Sequence, residues 1–154
     1  MRLSPVSGKP LDDVMTDTVK IHILLNDPDL PHGESLRGER LGRNRFRVRN
    51  IPFYARDLAL DDVVSCIESD GQLTLSQVVR SSGNGTIRIY CGDGYDSGVG
   101  AEIIRELTDR GFIFEYLDNL AAGNIPASFD DLAWLESFLD QRYSEACFYE
   151  IPKW

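Results

Sequence analysis

The sequence predicts an α+β fold, in which a small curved β-barrel or meander precedes a ferredoxin-like βαββαβ unit. Residues 18–85 carry five short stretches where apolar and polar side chains alternate, and no strong helical pattern. Residues 86–154 read strand, helix, strand, strand, helix, strand, which is the split βαβ order. We therefore expect a β-rich subdomain at 18–85, a ferredoxin-like subdomain at 86–154, and a flexible tail at 1–17, where Pro, Ser, Gly and Asp are frequent.

The barrel-like half is predicted from alternation and from turn residues. In the first strand Val19, Ile21 and Ile23 share one face, and later the pair Asp70-Gly71 is typical of a hairpin turn. Five short strands joined in this way favour a curved sheet over a flat one. The predicted strands span residues 18–25, 34–41, 43–49, 60–67 and 73–79.

The second half is predicted from strands that alternate with helical stripes. A first helix at 99–110 has Gly111 as its C-terminal cap, and Ser128 with Asp131 resembles a capping box that opens a second helix. Because the split βαβ places its first and third strands inside, the strands at Thr86 and near Leu120 are expected to be central. The predicted strands span residues 86–91 and 112–117, a short run that ends at Ile125, and residues 147–151.

Composition is that of a globular protein, with 42% hydrophobic and 27% charged residues among 154. No apolar run approaches the roughly 20 residues of a membrane helix. The N-terminus lacks the apolar core of a signal peptide, so we expect a cytoplasmic protein. The sequence does not indicate an oligomeric state.

Neither the cysteines nor the histidines form a motif that carries chemistry. Cys66, Cys91 and Cys147 are odd in number and make no CxxC pair, so we expect small buried hydrophobes without a disulfide or a zinc site. His22 and His32 lie in no cluster with ligand spacing. We therefore predict no catalytic residue, no metal and no cofactor.

The net charge of −9 is unevenly distributed. Residues 86–154 hold 13 acidic and 5 basic side chains, a net charge of −8, whereas residues 1–85 hold 12 and 11. An acidic half repels nucleic acid and membrane surfaces and attracts basic proteins. The charge therefore favours a protein partner with a basic surface, and the alternative is that acidity serves solubility alone.

Four arginines, Arg43, Arg45, Arg47 and Arg49, recur at every second position. In a strand they share one face, and we call this set the arginine comb. The comb could contact phosphates or acidic groups on a partner. It could equally be a solvated strand face paired with the acidic half of the chain.

A glycine-rich stretch, residues 92–100, connects a predicted strand to a helix N-terminus. Backbone N–H groups there could hold an anion. No Lys follows as in a P-loop, and Asp93 and Asp96 would repel an anion. The alternative is a flexible turn in which Asp96 or Ser97 caps the helix.

Four segments carry a resemblance to a known family. They are Glu34-Ser-Leu, Asn50-Ile-Pro-Phe-Tyr-Ala55, Asp61-Asp-Val-Val64 and Val78-Val-Arg-Ser-Ser-Gly-Asn-Gly-Thr-Ile-Arg88. In this order they resemble the bacterial family catalogued as domain of unknown function 4265, over nearly the whole chain after the tail. The resemblance implies a soluble bacterial protein and brings no catalytic residues, because the family carries no established activity.

These observations favour a non-enzymatic acidic protein-binding module, such as an inhibitor or immunity-type partner of a basic, nuclease-like toxin. Exposed aromatics, including Tyr143, would serve as anchors. The alternative is an enzyme or a small-ligand or anion sensor that uses the cleft between the two subdomains, where the glycine-rich stretch and the comb would meet. The candidate partner or anion contacts are Arg43, Arg45, Arg47, Arg49, Asp93, Asp96, Ser97, Trp134 and Trp154.

Overall fold

The computed structural model describes residues 18–154, which form nine strands and two helices. Five strands close into a barrel and four form a second sheet. The predicted tail, residues 1–17, lies outside the described residues. In chain order the elements are β1 (Thr18–Leu24), β2 (Gly33–Gly42), β3 (Arg45–Val48), β4 (Val63–Ser69), β5 (Gln72–Arg80), β6 (Gly85–Cys91), α1 (Gly98–Asp109), β7 (Ile113–Leu117), β8 (Leu120–Ile125), α2 (Leu132–Asp140) and β9 (Cys147–Lys153).

The barrel closes because β1 pairs antiparallel with β2 and parallel with β5. Its interior is filled by the apolar members of the alternating strands, among them Ile21, Leu36, Phe46 and Val64, each no more than 4% exposed. The alternation in the sequence thus predicted the inward faces correctly. The strongly curved sheet predicted for this half is what the structure contains.

Turn residues set the ends of the barrel strands. Asp70 and Gly71 join β4 to β5 with positive φ angles of 54° and 79°, the conformation that a two-residue hairpin needs. The third strand is shorter than predicted, because Arg43 and Asn44 form the turn after β2 and Asn44 has a φ of 58°. β3 therefore begins at Arg45.

The second sheet has the strand order β7-β8-β6-β9, and every neighbouring pair is antiparallel. The prediction that the strands at Thr86 and Leu120 are central is confirmed. One sheet face packs on both helices, and its core contains Ile87, Ile89, Ile103, Leu107, Leu135 and Leu139. The assignment of this unit to the ferredoxin-like class, and the division of the chain into two subdomains, stay predictions.

The helix ends differ from the prediction at one cap. Helix α2 begins after Asp131, whose carboxylate accepts a hydrogen bond from the Trp134 backbone N–H at 3.0 Å. Ser128 is therefore not the N-cap, because the helix starts three residues later than the capping box implied. Gly111 follows α1 with a φ of 97°, as expected of a residue that ends a helix.

The cysteines require a correction. Cys91 and Cys147 are registered partners on β6 and β9, their Cα atoms are 4.2 Å apart, and a disulfide joins them. The prediction of no disulfide was wrong, because the sequence does not reveal the register that places Cys147 of β9 beside Cys91 of β6, 56 residues earlier. The prediction that all three cysteines are buried is confirmed, and Cys66 is a free thiol in the barrel core.

We expect a thiol assay on the denatured, unreduced protein to find only Cys66, and reduction to expose all three thiols. Burial raises the pKa of Cys66 to about 11, so its thiolate is scarce near about pH 8 and alkylation of the folded protein should be slow. Mass spectrometry after iodoacetamide treatment measures both results. Three reactive thiols without reductant would contradict the disulfide.

Buried polar contacts tie the barrel to the second sheet. The Asp62 carboxylate, with no exposed surface, accepts hydrogen bonds from the backbone N–H groups of Ala59 at 2.9 Å and Ser82 at 2.8 Å. It also binds the Lys153 ammonium of β9 at 2.8 Å. Nearby, the Thr86 hydroxyl donates to a barrel carbonyl at 2.8 Å. These contacts fix how the barrel sits on the sheet.

The segment before β4 is held by a single carboxylate. Glu34 accepts hydrogen bonds from the backbone N–H groups of Phe53, Tyr54 and Ala55, the last two at 3.0 and 2.9 Å. Three donors on one carboxylate give a rigid connection, since charge-assisted bonds are the stronger kind. Two of the segments that carried the resemblance, around Glu34 and around Phe53, therefore meet in space.

Candidate functional site

The arginine comb lies on and beside β3. Arg45 and Arg47 alternate with buried Phe46 and Val48, as predicted. Arg43 lies in the turn before the strand and Arg49 follows it. Only two of the four arginines therefore belong to the strand.

Two members of the comb are paired within the barrel. Arg47 contacts Glu39 at 3.1 Å, and Arg49 contacts Asp61 at 2.5 Å. Both pairs are substantially exposed, so each contributes little to stability. Their partners belong to the barrel and not to the acidic half of the chain.

The glycine-rich stretch packs back onto the second sheet. The Tyr95 hydroxyl lies 2.7 Å from the carbonyl oxygens of Ile89 and Asn119, and burial raises its pKa to about 12. A Cβ atom on Gly100 would lie 2.1 Å from the Gly94 carbonyl oxygen. The glycine at position 100 therefore permits a close backbone approach. Ser97 occupies the N-cap of α1 without a side-chain hydrogen bond to the helix.

Three loops meet at one end of the second sheet. The Gly92 backbone N–H donates to the Ala146 carbonyl at 2.7 Å, and the Cys91 N–H donates to the Asn119 carbonyl at 3.2 Å. The Asn119 side chain in turn donates to the Gly92 carbonyl at 3.3 Å. These bonds hold residues 92–97, 116–119 and 143–146 together.

The joined loops carry exposed acids and no Lys or Arg. Asp93 and Asp96 were predicted as contacts, whereas Asp118 and Glu145 were not, because their proximity depends on the sheet order. We call these four carboxylates the acidic end. Exposed apolar side chains stand in the same loops: Tyr116 at 50%, Leu117 at 42% and Tyr143 at 63% exposure.

The two tryptophans lie elsewhere. The ring of Trp134 is half-buried, stacks on Phe138 with centroids 5.0 Å apart, and has the Arg110 guanidinium 3.5 Å from its centroid. Trp154 is 52% exposed and follows the end of β9 that lies away from the acidic end. The structure therefore does not bring Trp154 together with Asp93 and Asp96.

A cavity of about 280 Å³ lies between the barrel and the second sheet. Its lining includes Arg56, Arg88, Tyr90, Phe148 and Glu150, and it includes neither the comb nor the glycine-rich stretch. The sequence signal for two of them is the alternation of Arg88 and Tyr90 with apolar Ile87 and Ile89 in β6. Their assembly into a site required the register between β6 and β9.

Within residues 18–154, no group of three or more His, Cys, Asp or Glu side chains is arranged to hold a metal ion. No helix in that range has the length and apolar character needed to cross a membrane.

The fold has a solved counterpart. A hypothetical protein from Neisseria gonorrhoeae, described as a novel crystal structure, superposes with a TM-score of 0.74 at 21% identity over 86% of this chain and 92% of that one. At this identity the likeness concerns the fold alone. No curated protein matches the sequence. The family model described as Domain of unknown function (DUF4265) matches residues 34–148. This match covers most of the chain and confirms the resemblance read from the four segments, so the chain belongs to the DUF4265 family.

Proposed function

We propose that this protein is a non-enzymatic, acidic protein-binding module whose acidic end contacts a basic surface on another protein. The observation that carries the proposal is the junction of three loops with four exposed carboxylates, no basic side chain and exposed apolar neighbours. Such a surface offers both charge and contact area. Its loops are fixed by mutual hydrogen bonds, so little order needs to be gained on binding.

The two kinds of side chain have separate tasks. Carboxylates without a basic partner among residues 18–154 attract a cationic partner over a distance of roughly one Debye length, about 10 Å, and raise the rate of association. Tyr116 and Tyr143 supply large amphipathic rings that lose little conformational entropy, and tyrosine is enriched at the centres of interfaces. Leu117 adds apolar area beside them.

The partner class follows from the charge. A protein that handles nucleic acid presents Lys and Arg to phosphates, so its active surface is basic. A rigid set of carboxylates can occupy such a surface and block it. We therefore propose a role as an inhibitor or immunity-type partner of a nuclease-like toxin.

We expect neutralisation of the acidic end to slow association. A variant with Asp93→Asn, Asp96→Asn, Asp118→Asn and Glu145→Gln should associate about tenfold more slowly with the partner, with little change in dissociation, because exposed charges act mainly on encounter. Asn suits position 118, where the backbone has a φ of 53°. The partner is first isolated with the tagged wild-type chain at low salt, and surface plasmon resonance then measures both rates.

A matched variant controls for net charge. Glu68→Gln, Asp109→Asn, Asp130→Asn and Glu136→Gln remove four exposed carboxylates outside the acidic end and should leave the association rate within about twofold of wild type. Both variants should keep stability within about 0.5 kcal/mol. Equal slowing by the two variants would show that only the total charge matters. A captured protein that neither cleaves nucleic acid nor loses activity when bound would exclude the toxin role.

A further inference from the structure

The cavity between the barrel and the second sheet has a floor made by two cross-strand pairs. On the sheet face away from the helices, Tyr90 of β6 is the registered partner of Phe148 of β9, and Arg88 is the partner of Glu150. The two rings stack with centroids 5.0 Å apart and an interplanar angle of 27°. Both rings remain about two-fifths exposed, at 38% and 42%.

The walls come from barrel loops. The segment that Glu34 holds in place contributes Phe53 and Tyr54, and the loop after β1 contributes Leu30 and Asp27. Aromatic surfaces on the floor and on one wall form a slot that suits a planar ring. The Glu34 carboxylate holds this wall segment by accepting hydrogen bonds from the segment's backbone N–H groups. The slot is therefore largely formed before a ligand binds.

Arg88 places a positive charge in this slot. Its side chain is almost fully buried, Nη1 lies 3.0 Å from Glu150 Oε2, and Nη2 donates to the Ala55 carbonyl. Its Nε–H has no acceptor in the described part of the chain. A buried donor without an acceptor is uncommon and calls for a physical reason. Burial lowers the pKa of Arg88, whereas Glu150 raises it.

Two guanidinium groups lie at the inner end of the slot. Arg56 also contacts Glu150 Oε2, at 3.4 Å, so two guanidinium groups share one carboxylate. The other acid of the lining, Asp27, is exposed at the mouth, where its carboxylate accepts a hydrogen bond from the Asp29 backbone N–H at 2.9 Å. Glu34 also raises the pKa of Arg88. The Arg56 side chain is 63% exposed, so its guanidinium can pair with a further anion.

We propose that this cavity binds a small aromatic carboxylate, whose ring lies against Tyr90 and Phe148 and whose carboxylate lies near Arg56 and Arg88. The volume of about 280 Å³ is at the lower limit for ligand pockets, which favours a molecule with one ring over a dinucleotide. This binding site is separate from the acidic end. Its occupation does not depend on the protein-binding role proposed above.

Three probes of similar size separate charge from ring. Hydrocinnamate has both features, hydrocinnamamide keeps the ring without the charge, and cyclohexanepropionate keeps the charge without the aromatic face. We expect hydrocinnamate to bind the full chain at millimolar concentrations, as a ligand of this size can, and about tenfold more tightly than either analogue. Ligand-observed NMR titrations give the three affinities.

Variants locate the site. Arg56 is 63% exposed, so Arg56→Gln should leave the fold intact. The variant should bind hydrocinnamate about tenfold more weakly than wild type does, and no more tightly than it binds the amide. Phe148→Ala should reduce the ratio of hydrocinnamate affinity to cyclohexanepropionate affinity by about three- to tenfold. Arg43 and Tyr143 are exposed and lie outside the cavity, so they provide controls. The Arg43→Gln and Tyr143→Ala variants should bind hydrocinnamate as wild type does.

Arg88 is better observed than replaced, because its loss would also remove contacts to the barrel and β9. Its Nε–H resonance should shift on addition of hydrocinnamate and not of the amide. No binding by hydrocinnamate, equal binding by the three probes, or unchanged binding in Arg56→Gln would each overturn the proposal. The acidic-end variant should bind hydrocinnamate normally, so failure of one role is distinguishable from failure of the other.

Discussion

Replacement of Asp62 by Asn is expected to lower the free energy of unfolding by about 3–5 kcal/mol. The carboxylate has no exposed surface and accepts hydrogen bonds from two backbone N–H groups and from Lys153. Asn removes the charge and turns an NH₂ group toward one of these donors. The Lys153 side chain, only 17% exposed, then loses its counter-ion. Urea unfolding followed by circular dichroism measures the change.

The neighbouring acid provides a matched control. Asp61 is paired with Arg49, but its side chain is 39% exposed, so Asp61→Asn should cost less than about 1 kcal/mol. Lys153→Met should also be costly, because it leaves a buried carboxylate without its cation. The Asp62→Asn and Lys153→Met changes together should cost clearly less than the sum of the two, since the residues share one contact. Additive costs would mean that the pair does not couple barrel and sheet.

The part of the fold that depends on local pattern was predictable. Alternation gave the inward face of β1, since a strand buried on one side selects apolar residues at every second position. Gly111 gave the end of α1, because its positive φ favours glycine. Asp70 and Gly71 gave the β4–β5 hairpin for the same reason. These features need information from only a few consecutive residues.

The part that depends on long-range register was not predictable from local pattern. The β6–β9 ladder places Cys91 beside Cys147, Tyr90 beside Phe148 and Arg88 beside Glu150. A slip of β9 by one residue would send its side chains to the other face of the sheet. No signal within either strand fixes that register. The residues that line the cavity can therefore be seen in the sequence, but the way the fold brings them together cannot.

The candidate site shows the same division. Asp93 and Asp96 were recognised because they lie in one conspicuous glycine-rich stretch. Asp118 and Glu145 were missed, because they reach that stretch only through hydrogen bonds between loops. Asp61 and Asp62 are consecutive acids at the start of a predicted strand, and the structure buries Asp62 as the acceptor that joins barrel and sheet. A pair of consecutive acids does not by itself reveal which one is buried.

Two aromatic residues, one in edge strand β7 and one just before it, differ in burial. In the alternating stretch 112–117 Phe114 shares a face with Phe112, and its ring contacts the core. It is only half-buried, because β7 has a neighbouring strand on one side. Phe112, one residue before the strand, is 2% exposed and packs edge-on against Phe129 with centroids 5.1 Å apart. The deeper residue is therefore the one outside the strand.

We expect Phe112→Ala to lower the free energy of unfolding by about 3–5 kcal/mol, because it leaves a cavity beneath α1 and removes an aromatic pair. Phe114→Ala should cost about half as much, since much of its ring already faces solvent. Urea titrations of the two variants, with unchanged slopes against denaturant, compare these costs directly. An equal or larger cost at Phe114 would show that the core of the second sheet is centred on the edge strand and not on the segment that leads into it.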